Sequence, residues 1–95
     1  MDFEITVRHH ELPERIKNYA ANEVKKLGKI FDKIVTAKII IDKQKDDEIV
    51  ELAIHISGKD FIAKENGAEI TKLIDSVVDK VGRQLKRYKE KRKNH

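Results

Sequence analysis

Apolar and polar residues alternate along four segments of the chain, which is the pattern of half-buried β-strands. The segments span residues 2–8, 34–43, 49–57 and about 60–65. The last three are separated only by short polar turns, so they are predicted to form an antiparallel meander. The residues expected to face the core in the first three strands are Phe3, Ile5, Val7, Val35, Ala37, Ile39, Ile41, Val50, Leu52, Ile54 and Ile56.

Two further segments repeat apolar residues every three or four positions, as amphipathic α-helices do. The first helix is predicted from about residue 12 to 28, with Pro13 in its first turn and Gly28 at its end. The second is predicted from residue 68 to about 90. The apolar stripes consist of Ile16, Ala20, Val24, Leu27 and Phe31 in the first helix, and of Ile70, Ile74, Val77, Val78, Val81, Leu85 and Tyr88 in the second.

The order of elements is therefore β-α-β-β-β-α, which predicts an α+β fold in a single domain over residues 1–95. A helix connects the first two strands, so they are expected to be parallel through a right-handed crossover. Each helix has one apolar stripe, so both should pack on one face of a four-stranded mixed sheet, as in double-stranded RNA-binding domains. The residues predicted to face water on the other side of the sheet are Glu4, Thr6, Thr36, Lys38, Glu51 and His55.

Composition excludes several classes of protein. The 95 residues include no cysteine, so disulfides and thiolate metal sites are excluded. No apolar run approaches the roughly 20 residues that cross a bilayer, and the first ten residues do not resemble a signal peptide. We therefore expect a cytoplasmic protein that does not bind membranes.

The net charge of +4 is unevenly distributed. Residues 79–95 contain eight basic and two acidic side chains, whereas the other 78 residues contain 13 basic and 15 acidic ones. The last fifth of the chain therefore has a charge of +6 and the remainder −2. A localised excess focuses an electric field, whereas dispersed charge mainly keeps a protein soluble. This distribution favours an anionic partner.

The cations of the last helix lie along one flank of a helical wheel. Cations near a helix C-terminus interact favourably with the macrodipole, by about 0.3–1 kcal/mol each. That effect explains one or two lysines, but not eight basic residues within residues 80–95, where like charges repel. The pattern therefore predicts a surface that binds nucleic-acid phosphates. The residues of this flank are Lys80, Arg83, Arg87 and Lys91, with Lys86 beside them.

The first helix carries a second group of cations: Arg15, Lys26 and Lys29 share a flank with Lys25 beside it, and Arg8 precedes the helix at the end of the first strand. Two adjacent helices could combine their flanks into one basic groove, although the lysines of the first helix are equally explained by a solvated helix face. Few side chains could read bases, so recognition of shape is expected rather than of sequence. The candidates for base contacts are Asn22, Gln84, Tyr88 and the histidines.

Other chemistry has little support in the sequence. There is no glycine-rich phosphate loop and no Ser-His-Asp arrangement at a suitable turn. His9 and His10 are adjacent, which is poor spacing for two ligands of one metal. We therefore expect no enzyme activity, no cofactor, no metal and no small-molecule substrate.

The last helix contains the pattern I-D-x-x-x-D-K-x-x-R-Q-L-x-x-x-K, formed by Ile74, Asp75, Asp79, Lys80, Arg83, Gln84, Leu85 and Lys89. This pattern resembles the last helix of the ribosome hibernation promoting factors, a family that includes the ribosome-associated inhibitor and the light-repressed proteins. The resemblance covers nearly the whole chain, with the same order of elements. The similar residues in the first part of the chain are Ile5, Thr6, Glu11, Leu12, Tyr19, Lys25, Leu27, Phe31 and Asp32.

The resemblance implies a bacterial or plastid protein that binds the small ribosomal subunit near the decoding region. Such a protein blocks translation by occupying the space of messenger RNA and transfer RNA, without a chemical step. The chain looks like the short form of the family, which in some bacteria acts with a small partner protein to pair ribosomes. The basic contact positions of the family correspond to Lys25, Lys26, Lys29, Lys80, Arg83, Lys86 and Arg87.

Two positions depart from the pattern of the family, and two other functions are compatible with the sequence. Thr71 and Leu73 stand where members often have an aromatic and a small residue, which should affect packing more than binding. The chain could instead be a general structured-RNA-binding domain, or a protein-interaction module that uses the open sheet face or its edge strands. The first turns of the last helix contain one lysine and two acids, so the binding mode of double-stranded RNA-binding domains is not expected.

Overall fold

A four-stranded sheet with helices on one face forms the protein. The computed structural model describes the backbone of residues 1–93 and the side chains of residues 1–91. The predicted order of elements and the α+β fold are confirmed. The elements are β1 (Asp2–Arg8), α1 (Glu14–Lys25), α2 (Leu27–Ile30), β2 (Thr36–Gln44), β3 (Asp47–Ile56), β4 (Lys59–Gly67) and α3 (Ile70–Lys93).

The strands lie in the order β1-β2-β3-β4, so β1 and β4 are the edges of the sheet. β1 is parallel to β2, and the other neighbours are antiparallel, as the sequence predicted. One row across the inner face illustrates the register, because Ile5, Ile39, Leu52 and Ala63 are successive partners. Such rows bring β-branched and other apolar side chains under the helices, where their burial stabilises the fold.

One predicted core position is wrong. Val35 is 49% exposed, whereas the preceding Ile34 is 6% exposed and fills the core. The backbone of Val35 still pairs with both neighbouring strands, donating to the His55 carbonyl at 2.9 Å and accepting from the Asp2 amide at 3.0 Å. Val35 therefore extends the hydrogen-bond ladder at the end of the sheet, but its side chain lies outside the core.

The first predicted helix is divided into α1 and α2. Lys26 forms the junction, and its amide donates to the Glu23 carbonyl at 3.3 Å, a tighter turn than that of an α-helix. Gly28, which was expected to end the helix, lies inside α2, so the helical segment continues to Ile30. The short α2 packs on α3 at Gly82, where a Cβ would lie 3.4 Å from the Ile30 Cδ1, in ordinary van der Waals contact, whereas a larger side chain would not fit.

The helices run parallel to each other, which places their C-terminal ends at the same end of the molecule. Tyr19 contacts Asp75 near the start of the two helices, and Lys89 donates to the Ile30 carbonyl at 3.2 Å near their ends. At this end Tyr88 packs edge-on against Phe31 and Phe61, with ring centroids 6.0 and 5.6 Å apart. Within residues 1–93, no helix is long and apolar enough to cross a membrane.

The opposite end of the molecule is held by two histidine–carboxylate contacts. His10 Nε2 lies 2.8 and 3.0 Å from the carboxylate oxygens of Glu48, and both side chains are largely buried. His9 Nδ1 lies 2.9 Å from Asp42 Oδ1. These contacts fasten the segment after β1 to β2 and β3, because each joins residues that are more than 30 positions apart.

Candidate nucleic-acid interface

Most of the predicted cations gather where the parallel helices end. The fold produces this grouping, because the ends of α2 and α3 meet beside the turn between β3 and β4. Cations at helix C-termini are also stabilised by the macrodipole, so the arrangement has little cost for the fold. The cations of this end, called the basic end below, are Lys25, Lys26, Lys29, Lys59, Lys86, Arg87, Lys89 and Lys91.

The expected groove between the flanks of the two helices does not form as predicted. Lys80 contacts Glu65 of β4, and Arg87 and Lys91 line a cleft against the β3–β4 turn. The side of α3 that faces α1 and α2 instead carries Asp75, Gly82 and Lys89. The flank of Lys80, Arg87 and Lys91 therefore faces the sheet edge, on the other side of α3 from the first helix.

Lys80 is held by a tertiary contact rather than left for a ligand. Its ammonium group donates to the carboxylate of Glu65, which also accepts a hydrogen bond from Ser76 Oγ at 3.0 Å. The hydrogen bond from Lys80, and then that from Ser76, lower the pKa of Glu65 below its ordinary value. The pair joins α3 to β4, so part of the charge of Lys80 is neutralised before any partner binds.

Two other predicted cations have carboxylate neighbours on their own helix. Arg83 lies 3.0 Å from Asp79, and Lys26 lies 2.6 Å from Glu23. Both cations are well exposed, and such surface pairs contribute about 0–1 kcal/mol. A phosphate can therefore replace these carboxylates at small cost.

The remaining predicted cations of the two helices have no carboxylate partner among the described side chains. All five are exposed to solvent. Their mutual repulsion is not relieved within the part of the chain that the structure describes, so an approaching polyanion gains their full attraction. These cations are Lys25, Lys29, Lys86, Arg87 and Lys91. The tail cations Arg92 and Lys93 lie outside the described side chains.

The structure separates Arg8 from the other predicted residues. Arg8 ends β1 and is the register partner of Asp42, at the end of the sheet where α1 and α3 begin. The pKa of Asp42 is lowered, chiefly by the hydrogen bond from His9, with smaller contributions from the Lys43 amide and Arg8. The charge of Arg8 therefore acts on a neighbouring carboxylate rather than at the basic end.

Lys59 is a residue of the basic end that sequence reasoning missed. Its ammonium group lies 5.4 Å from the centroid of Phe61 and 5.3 Å from that of Tyr88. The sequence around it predicted only a turn, and no helical period connects it to the other cations. Strand alternation was the available signal, because Lys59 and Phe61 must point to the same face.

Two of the candidates for base contacts, Gln84 and Tyr88, are engaged within the protein. The Gln84 side-chain amide donates to the Ile62 carbonyl at 3.4 Å, and Tyr88 is packed between two phenylalanine rings. Contacts to phosphates therefore remain the main chemistry available at the basic end.

The open face of the sheet differs electrostatically from the basic end. Its cations Arg8, Lys38 and Lys64 stand in register opposite Asp42, Glu4 and Glu51, respectively. Opposite charges at such positions stabilise the sheet and cancel most of the field. This face consequently offers little net attraction to a polyanion.

The sequence model of one family, described as Sigma 54 modulation protein / S30EA ribosomal protein, matches residues 3–93. The chain belongs to this family. The match extends over β1 to α3, so it includes the sheet, the helices and the basic end. The resemblance stated from the residues alone is thereby confirmed.

Several relatives align with the chain over its whole length. The ribosome hibernation promoting factor of Salmonella typhimurium is 28% identical over 95 residues, which cover 100% of both chains. That of Escherichia coli K12 is 27% identical with the same coverage. The Pseudomonas putida protein of the same name is 29% identical and aligns over 99% of this chain and 92% of its own.

Two solved structures share the fold. The N-terminal domain of Protein Y from Thermus thermophilus superposes with a TM-score of 0.83 at 22% identity, covering 93% of this chain and 99% of that domain. A ribosomal subunit interface protein from Coxiella burnetii gives a TM-score of 0.86 at 20% identity, covering 95% and 99% of the two chains. These similarities establish the architecture.

Proposed function

We propose that this protein is a cytoplasmic ribosome hibernation factor that binds ribosomal RNA of the small subunit near the decoding region. It inhibits translation by occupying the space of messenger RNA and transfer RNA. No chemical step is required, because exclusion alone prevents decoding. The family membership supports this proposal, and so do the names of the relatives that align over the full chain.

The observation that carries the proposal is that five predicted helix cations are exposed, lie together at the basic end and have no carboxylate partner among the described side chains. Lysine and arginine bind phosphates with an affinity that falls steeply as salt displaces them. Five phosphate contacts predict a slope of about −4 in a plot of log affinity against log salt concentration. A flat plot would contradict binding through these residues.

A matched pair of triple variants tests the location of the interface. Replacing Lys86, Arg87 and Lys91 by glutamine removes three cations of the basic end that lack carboxylate partners among the described residues. Replacing Arg8, Lys38 and Lys64 by glutamine removes the same residue types from the open face. In 0.1 M salt, the first variant should bind small subunits about 100- to 500-fold more weakly, and the second should bind within a few-fold of the parent.

Equal losses in the two variants would contradict the proposed interface, and so would no loss in either. The open-face variant also tests whether Arg8 contacts RNA, as the sequence predicted, because Arg8 is one of its three replaced residues. The pair is a better test than a variant containing a Lys80 change, because Glu65 already neutralises part of the charge of Lys80.

The position on the ribosome needs its own experiment. Chemical probing of small-subunit RNA should show protection near the decoding region, and excess messenger RNA with transfer RNA should displace the protein. Protection confined to a distant region would overturn that part of the proposal while leaving ribosome binding intact. A small ribosome-pairing protein is a further expected partner, which sedimentation of ribosomes with both proteins tests.

A general structured-RNA-binding domain is the second candidate. It is favoured by the engagement of Gln84 and Tyr88 within the protein, which leaves mainly phosphate contacts. Affinities for small subunits and for an unrelated RNA duplex of similar length distinguish the two functions. A preference of at least 100-fold for the subunit supports the hibernation factor, and equal affinities support the general domain.

A further inference from the structure

A cleft of about 220 Å³ lies between the β3–β4 turn and the last turns of α3. Its walls include the cations Lys59, Arg87 and Lys91 and the aromatic rings of Phe61 and Tyr88. Two of the cations come from α3 and the third from the sheet edge, so the cleft exists only in the folded protein. Positive charge from two different elements converges there.

Lys59 is positioned for this cleft by the rings beneath it. Its ammonium group lies 5.4 Å from the Phe61 centroid and 5.3 Å from the Tyr88 centroid. Such contacts restrict a flexible side chain, so less conformational entropy is lost when a ligand binds. The apolar rings also replace water on one side of the ammonium, which strengthens its attraction for an anion.

Asp60, which follows Lys59 in the sequence, directs its carboxylate away from the Lys59 ammonium. Asp60 also lines the cleft, but its Oδ1 lies 2.5 Å from Nδ1 of His55 on the open face. Strand alternation sends Lys59 and Asp60 to opposite faces of β4. Among the described side chains, Lys59, Arg87 and Lys91 have no carboxylate within ion-pair distance.

We propose that this cleft binds one backbone phosphate of an RNA strand, and that the interface thereby extends from α3 to the edge of the sheet. The inference rests on the proposed function and adds Lys59 as a phosphate ligand. A phosphate fits better than a stacked base, because Lys59 covers the rings of Phe61 and Tyr88. A strand rather than a free anion is expected, because the cleft is continuous with the exposed cations of α3.

Three single substitutions test the assignment. Lys59→Met keeps an apolar stem on the rings but removes the charge, and Lys59→Arg restores it. Lys64→Met is the matched control, because Lys64 lies on the same strand but faces Glu51 on the open side. Binding to small subunits is measured at several salt concentrations, with thermal melts to verify that each variant is folded.

Loss of one phosphate contact should weaken binding about five- to eightfold in 0.1 M salt and reduce the salt slope by about 0.7–0.9. We expect this result for Lys59→Met, with Lys59→Arg and Lys64→Met close to the parent. If Lys59→Met matches the parent while Lys86→Met, a change outside the cleft, binds more weakly, Lys59 is not a phosphate ligand and the proposed function stands. If no variant of the basic end loses affinity, the proposed function itself fails.

A titration followed by NMR distinguishes a strand from a free anion. The probes are a short oligo-uridylate and inorganic phosphate, at equal phosphate concentrations. The amide signals of Gly58, Lys59 and Arg87 should shift at lower concentrations of the oligonucleotide, whereas that of Lys64 should not move. Shifts that occur first with inorganic phosphate would overturn the assignment to RNA.

Discussion

The hydroxyl of Tyr19 in α1 donates a hydrogen bond to the carboxylate of Asp75 in α3. This contact joins the two helices near their starts, at the end of the molecule opposite the basic end. It raises the pKa of Tyr19 to about 12, mainly because the phenolate would lose this hydrogen bond, with smaller effects from burial and from the charges of Asp75 and Glu23. The helix pair is thus fastened at both ends, here and at Lys89 and Ile30.

Replacing Tyr19 by phenylalanine should lower the free energy of unfolding by about 1 kcal/mol, because one hydrogen bond to a charged acceptor is lost near the surface. Urea denaturation at pH 7 measures the change. The contribution of the Tyr19 hydroxyl to the free energy of unfolding is complete below pH 10, the ordinary pKa of tyrosine. It is lost as the pH rises towards about 12. The stability difference between parent and variant should therefore shrink over that range. A difference that stays constant would contradict the role of the hydroxyl.

Replacing Glu65 by glutamine should release Lys80 for a phosphate. Affinity for small subunits in 0.1 M salt should rise about five- to eightfold, with a steeper salt dependence. The matched control is Glu69→Gln, whose partner Lys72 lies 3.0 Å away near the start of α3, far from the basic end. An equal rise in the control would show that only net charge matters.

The same variant should alter stability in acid. Because the pKa of Glu65 is lowered in the folded protein, its carboxylate contributes fully to folding stability above pH 4.5, the ordinary pKa of glutamate. This contribution is lost as the pH falls through the lower pKa of the folded state. Glu65→Gln should therefore lower stability slightly at pH 7 and reduce the loss of stability on acidification. Thermal melts between pH 3 and 7 compare the two proteins. An unchanged acid dependence would exclude the Lys80–Glu65 contact as its source.

Replacing Lys45 by glycine should stabilise the protein. Lys45 has a φ of 56° in the turn between β2 and β3, a conformation that costs side chains other than glycine about 1 kcal/mol. Asp46→Gly is the matched control in the same turn, because Asp46 does not have a positive φ. Urea denaturation should show a gain of up to about 1 kcal/mol for Lys45→Gly and none for Asp46→Gly. A loss in both would indicate that the turn is not strained.

The size of residue 82 should determine how α2 packs. A Cβ there would lie 3.4 Å from Ile30 and 3.5 Å from Leu27, so alanine fits with little movement. Gly82→Ala should therefore be neutral or stabilise α3 by up to about 1 kcal/mol through helix propensity. Gly82→Leu should destabilise the protein by about 1–3 kcal/mol, because the side chain overpacks the interface. Equal stabilities of the two variants would mean that α2 moves freely.

Hydrophobic periodicity predicted the architecture because each element has one buried face. The alternation in β2 and β3 and the stripe of α3 depend only on local geometry, so the sequence suffices. Val35 was misplaced because its exposure depends on where the helices stop covering the sheet. The break at Lys26 was missed for a similar reason, since the packing of α2 on Gly82 involves residues far apart in the chain.

The sequence predicted which residue types form the site, but not how these residues are arranged in the fold. A helical wheel identified the flank of Lys80, Arg87 and Lys91, yet it carries no information about which neighbour that flank faces. The pairing of Lys80 with Glu65 and the approach of Lys59 to Tyr88 arise from the antiparallel packing of α3 on β4. Arg8 was grouped with these cations through its position before α1, although the register places it beside Asp42.

The contacts of α3 along β4 also affect how copies of the protein meet. β4 is an edge strand, and its backbone could pair with a strand of another molecule. Gln84 already donates to the Ile62 carbonyl, and Lys80 holds the inward-pointing carboxylate of Glu65. Intermolecular strand addition must break the hydrogen bond from Gln84 to the Ile62 carbonyl, and the inward-pointing charge of Glu65 opposes it further, so this edge discourages aggregation.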